Sequence, residues 1–152
     1  MCLNAGAVPE ESALAAIRAA VEAIVPAVDG RPGAVDLGVE RHVVQSLEGY
    51  VPGFADLLGT LLDAYATDVR AGAAFVDLTL DERGQVLRLM SAEDSGDLRD
   101  LVDALLVFTY GGMYSEWTGF DPATGALEPP AVWADMGFAG PVAGHADYRR
   151  DA

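Results

Sequence analysis

Lysine is missing from this chain, cysteine occurs once and histidine twice, and each scarcity closes off a class of chemistry. All nine bases are arginine, set against 24 acids, for a formal net charge of -15. A field of that sign repels phosphate backbones and anionic headgroups, so neither nucleic acid nor a membrane surface is an expected partner. Without lysine there is no phosphate loop of the usual kind, and no Gly-x-Gly-x-x-Gly run replaces it. The lone Cys2 excludes an intramolecular disulfide and a zinc site built on several thiolates. His42 and His145 have no second histidine four residues away and no Glu-x-x-His motif, so no metal ligand is assigned. No apolar run approaches the ~18 residues that a membrane span needs, and direct insertion is not expected. Met1 to Pro9 carries no basic residue and no continuous apolar region, unlike a secretory or twin-arginine leader. As it stands the sequence is expected in the cytoplasm, and outside it only if a leader has been removed.

Catalytic signatures are equally scarce. No Gly-x-Ser-x-Gly elbow occurs. The acid pairs Glu10-Glu11, Asp81-Glu82 and Glu93-Asp94 sit at helix starts or in polar loops, where caps and solvated faces are the ordinary use of carboxylates. No residue is therefore assigned a catalytic, cofactor-binding or metal-binding role.

What is present is one domain of 152 residues, half of them apolar, with helical periodicity over most of its length. Pro9-Glu10-Glu11 opens a helix carrying Leu14, Ile17, Val21 and Ile24 on one face, stopped by Pro26. A second helix starts near Leu37 or Gly38 and carries Val39, Val43, Leu47 and Tyr50. A third follows Pro52-Gly53 with the strongest stripe of all: Phe54, Leu57, Leu58, Leu61, Leu62, Tyr65 and Val69. Thr79-Leu80-Asp81-Glu82 reads as a capping box for a short fourth helix through Val86, Leu87 and Met90. Ser95-Gly96-Asp97 opens a fifth, through Leu98, Leu101, Val102, Leu105 and Leu106, which Gly111-Gly112 is expected to end. The reading is an all-α bundle of about five helices. It divides into a flexible lead-in at 1–8, a helical core at 9–112 and a long irregular wrap at 113–152.

That last segment is broken by glycine, proline and aspartate, yet it is rich in rings: Tyr114, Trp117, Phe120, Trp133, Phe138 and Tyr148. Side chains of this kind each bury on the order of 150–250 Å² when covered. They are covered either by a partner or by the chain's own helices. Tyr114, Trp117, Phe120, Trp133 and Phe138 are the candidates for partner contact, since Trp and Tyr dominate binding hot spots. The terminal Arg149-Arg150 pair reads first as a frayed end, with a clamp on an acid of a partner as the other reading.

Three segments carry a family resemblance. Phe108-Thr109-Tyr110-Gly111-Gly112-Met113-Tyr114-Ser115-Glu116 resembles a helix ending in a Gly-Tyr-Tyr-Thr/Ser-like turn. Trp133-Ala134-Asp135-Met136-Gly137-Phe138-Ala139-Gly140-Pro141 is similar to a Leu-Gly-Tyr-x-Gly element. Arg70 through Leu78, followed by Glu82-Arg83, resembles a phenylalanine ahead of a Leu-x-x-x-Glu-Arg helix. In this order the three are similar to the gluconate 2-dehydrogenase subunit 3 family. That resemblance implies a non-catalytic small subunit without a cofactor of its own. Its partner would be a large FAD-dependent subunit of the glucose-methanol-choline oxidoreductase class, acting on a sugar, sugar acid or alcohol, with a cytochrome acceptor where one occurs. Family members often bear a twin-arginine leader and are thought to help the partner fold and cross the membrane. This sequence shows no such leader, which puts export in doubt and leaves pairing. Two other readings stand beside it: a helical interaction or regulatory module unrelated to redox work, and a helical enzyme or redox protein holding a ligand between helices.

Overall fold

The fold comes from a computed structural model, which describes residues 8–121 and 123–138. Cys2, His145, Tyr148, Arg149 and Arg150 lie outside those residues, as does the end of the family-like segment after Phe138. The protein is all-α. Five helices form the body: α1 (Glu11–Ile24), α2 (Val39–Tyr50), α3 (Phe54–Val69), α4 (Leu80–Ala92) and α5 (Gly96–Tyr114). A two-stranded antiparallel hairpin, β1 (Phe120–Asp121) with β2 (Ala126–Leu127), and a short α6 (Ala131–Asp135) follow.

Small residues let α1 and α3 approach each other closely. Ala13, Ala16 and Ala20 of α1 are buried, as are Ala55, Gly59 and Ala66 of α3. A Cβ placed on Gly59 would sit 2.6 Å from the Ala13 Cα, so glycine is required where the two backbones meet. The start of α1 is also tied to α3, because the Glu10 amide donates to Asp56 Oδ1 at 2.7 Å. Ile17, Val21, Val39, Val43, Leu47, Leu58, Leu62, Val86, Met90 and Leu105 fill the remaining core.

Phe75 heads the fully buried side chains in size, and the family-like segment around it is a structural knot. Its amide donates to Asp63 Oδ1 at 2.8 Å, fixing a 3₁₀ turn over Phe75–Asp77 between α3 and α4. The expected capping box then starts α4. The Thr79 amide donates to Glu82 Oε2 at 2.8 Å and the Glu82 amide to Thr79 Oγ1 at 3.3 Å. The bond from the Thr79 backbone first, with the Thr79 hydroxyl and the Arg70 charge, holds the Glu82 carboxyl below the usual carboxylate range. Arg83 clamps the assembly, donating to Glu22 Oε2 of α1 and to the Val76 carbonyl, each at 2.8 Å.

Three expectations need correction. The Gly111-Gly112 pair does not end α5, which runs on to Tyr114. Tertiary packing overrides the local signal: a Cβ on Gly112 would lie 2.7 Å from His42 Cδ2 and 2.9 Å from Val39 Cγ1. Glycine is there so that α5 can cross α2 closely, not to terminate it. Tyr50 and Leu57, placed by periodicity on core faces, are exposed. The body turns its apolar layer toward Ala55, Leu58 and Leu62, which leaves the edge of each stripe outside. Finally, the segment after α5, expected to be irregular, has local structure between Glu116 and Asp135.

Candidate partner-binding surface

The chain leaves α5 through two serine- and tryptophan-based fixings. Ser115 ends the helix and its Oγ accepts from the Trp117 amide at 3.3 Å, starting a 3₁₀ turn over Glu116–Gly119. The Trp117 indole reaches back to α2, where its Nε1 donates to the Gly38 carbonyl at 3.4 Å. Its ring meets the His42 ring at a centroid distance of 5.3 Å. Beyond the hairpin, Pro130 sets the start of α6 and brings Trp133 under the end of α5. Trp133 Nε1 donates to the Tyr114 carbonyl at 2.8 Å, satisfying one of the acceptors that a helix C-terminus leaves open. Only 8% of Trp133 remains exposed.

The hairpin between these anchors is locally determined. Asp121 Oδ1 accepts from the Ala123 amide at 2.9 Å, and Asp121 Oδ2 accepts from Thr124 Oγ1 at 2.6 Å. The Thr124 bond is the larger cause of an Asp121 carboxyl held below its usual range. Gly125 supplies the left-handed residue that returns the chain. Gly119 abuts the Glu128 carbonyl so closely that any side chain there would overlap it, and the Glu128 amide donates to the Gly119 carbonyl at 2.9 Å.

These fixings build a cavity of about 640 Å³ lined by His42, Ser115, Glu116, Trp117, Phe120, Leu127, Trp133 and Phe138. Four of the five candidate residues therefore surround one hollow, whereas Tyr114, at the end of α5, lines a separate depression with Leu37, Met113 and Met136. They divide by exposure. Trp117 is half-buried and Trp133 buried, whereas Tyr114, Phe120 and Phe138 are exposed. Phe138 meets Trp133 edge to face, 5.0 Å between centroids at 84°, yet half of its surface faces solvent. Tyr114 stacks on Tyr110 one turn earlier, 6.4 Å between centroids at 8°, and both rings are open to solvent. Polar groups on the lining are few: the His42 imidazole, the Ser115 hydroxyl and the Glu116 carboxylate. Burial pushes the His42 pKa below its ordinary value, so the ring is neutral at neutral pH.

Sequence reasoning missed three contributors. His42 has no metal-ligand spacing, yet its spacing of three from Val39 puts it on the face of α2 that meets α5. Tyr110 and Leu127 were not singled out, although Tyr110 stands four residues before Tyr114 on a helix. Among the described residues, no three His, Cys, Asp or Glu side chains come together in a way that could hold a metal ion. Also among them, no helix is long and apolar enough to cross a membrane. The hollow can hold apolar groups, and it offers one neutral imidazole and one carboxylate for orientation. Of the two groups that could pair there, the Ser115 hydroxyl donates to the Gly112 carbonyl at 3.4 Å and not to the His42 imidazole.

Residues 11–125 match the family described as gluconate 2-dehydrogenase subunit 3, and the chain belongs to that family. The family is named for one subunit of a multi-chain dehydrogenase. No curated protein and no solved structure matches the chain. The matched range contains Tyr114, Trp117 and Phe120, and it ends before Trp133 and Phe138.

Proposed function

We propose that this chain is a non-catalytic accessory subunit that binds and stabilises an FAD-dependent oxidoreductase of the glucose-methanol-choline class, acting on a sugar, sugar acid or alcohol. Docking uses the aromatic surface that follows α5. The observation that carries the reading is the division of the rings: Trp117 and Trp133 are hydrogen-bonded to backbone carbonyls, while Tyr114, Phe120 and Phe138 face solvent. Rings held open on a fixed scaffold lose little further entropy on binding and bury large areas, as hot-spot residues do. The flavin and the hydride chemistry belong to the partner, and the small subunit supplies folding support and apolar cover. A cytochrome acceptor belongs to such an assembly where one is present.

The test is to recover the tagged chain from its native cells, then record the visible absorption and subunit stoichiometry of the eluate. A near-equimolar large protein with flavin bands is expected. A colourless eluate holding this chain alone would overturn the reading in favour of a self-contained helical module.

A further inference from the structure

A second apolar surface lies at the other end of α5, away from the aromatic hollow. Two adjoining depressions of about 470 and 480 Å³ share Phe54 and Asp100 in their linings. Together they run along the junction of α2, α3 and α5. Tyr50 is 78% exposed, Val107 64%, and Leu57 and Val51 nearly half. Tyr50 leans on Phe108, with ring centroids 5.7 Å apart, so its ring is held over the surface instead of trailing in solvent. Tyr50, Val51, Leu57 and Val107 lie outside the buried core, which Leu47, Leu58, Leu62 and Leu105 fill. Apolar groups concentrated in this way on one face mark an interaction site.

The edge of the groove says what chemistry covers it. Asp97, Asp100 and Asp103 line it at successive helical steps of three along α5, and all are exposed. None of the three forms an ion pair among the described residues, and no arginine lines either depression. A second copy of this chain is a poor occupant, because a two-fold contact would set that row of aspartates against itself in a molecule of charge -15. We infer that the groove receives a basic amphipathic helix of another protein, its apolar side chains entering the two depressions and its cationic flank meeting Asp97, Asp100 and Asp103. Helix-in-groove binding with a complementary charged flank is a general mode of segment recognition. The inference does not depend on the accessory role, and its test uses neither flavin nor a large subunit.

The probe is a fluorescein-labelled helical peptide of leucine and lysine, with a leucine–glutamate peptide of the same apolar face as control. Anisotropy titrations with the full chain are expected to show saturable binding of the lysine peptide alone, weakening as NaCl is raised from about 50 to about 300 mM. Val107→Asp should weaken it about tenfold, and circular dichroism should show an unchanged fold. Asp100→Asn with Asp103→Asn should weaken it about threefold and reduce its salt dependence. The charge-matched pair Asp29→Asn with Asp135→Asn, which lines a different depression, should leave it unchanged. Equal weakening by both aspartate pairs would reduce the effect to net charge and overturn the inference. So would equal binding of the two peptides, or a homodimer of the chain that Val107→Asp dissociates.

Discussion

The five-helix body and the segment after α5 use their large side chains in opposite ways. In the body the closest contacts are made by alanine and glycine, and one aromatic, Phe75, is fully buried at the α3–α4 turn. From Tyr114 onward the chain is short of aliphatic residues, and among the described residues its rings are divided between two buried or half-buried anchors and three exposed positions. Small residues bring helices together, and the resulting core is tight and sensitive to added volume. Rings on hairpins and turns do little for that core. Two of them, Trp117 and Trp133, are fixed by indole hydrogen bonds, and the other three present area outward. Stability resides in the first region and the docking proposed above in the second, so substitutions should separate the two.

The largest effect is expected for Phe75→Ala, which removes a fully buried ring at the knot joining α1, α3 and α4. A loss of about 4 kcal/mol in urea unfolding is expected; a loss under about 1 kcal/mol would mean that the knot is not part of the core. Gly112→Ala comes next. Its new methyl would press on His42 and Val39, costing about 2 kcal/mol, as read from circular dichroism melts. A neutral outcome there would remove the reason given for the continuation of α5. Much smaller is the combined change Tyr114→Ser, Phe120→Ser and Phe138→Ser, which should move stability by less than about 0.5 kcal/mol per site. A large loss would show those rings to be core and would collapse the contrast between the regions.

The smallest effect concerns pH. The folded state holds the His42 pKa below its ordinary 6.5, so the unfolded chain takes up the proton more readily. Stability from this site is complete above that ordinary value and falls away as pH drops below it. Comparison of unfolding midpoints at neutral and mildly acidic pH should show a loss in the wild type that is reduced in His42→Asn. The comparison between variants cancels the titration of the many surface acids. An identical pH response would place the His42 ring in solvent.

Much of the body was legible in the sequence because its helices announce themselves locally. The Thr79–Glu82 capping box and the stripes of α1 and α3 depend on neighbours a few residues away, and α3 runs over Phe54–Val69 as its pattern implied. What was not legible required long-range knowledge. Gly112 reads as a helix end until His42 and Val39 are placed against it, 70 or more residues away in sequence. Tyr50 and Leu57 fit the helical period, yet periodicity alone does not say how wide the buried stripe is. The site was legible in composition: the candidate rings were named, but their gathering around His42 depends on the path of the 3₁₀ turn and hairpin. The division between anchoring and exposed rings was not readable, because it rests on which indole finds a carbonyl.

The account's central claim is that the exposed rings after α5 hold a flavoprotein partner while contributing little to the fold. It is tested most directly by co-expressing the chain with its large flavoprotein subunit and comparing co-purification by the wild type and by the Tyr114→Ser, Phe120→Ser, Phe138→Ser variant. The expected result is a near-equimolar flavin-containing complex with the wild type and its loss with a variant that remains folded by circular dichroism. Retention of the complex by the folded variant would contradict the claim.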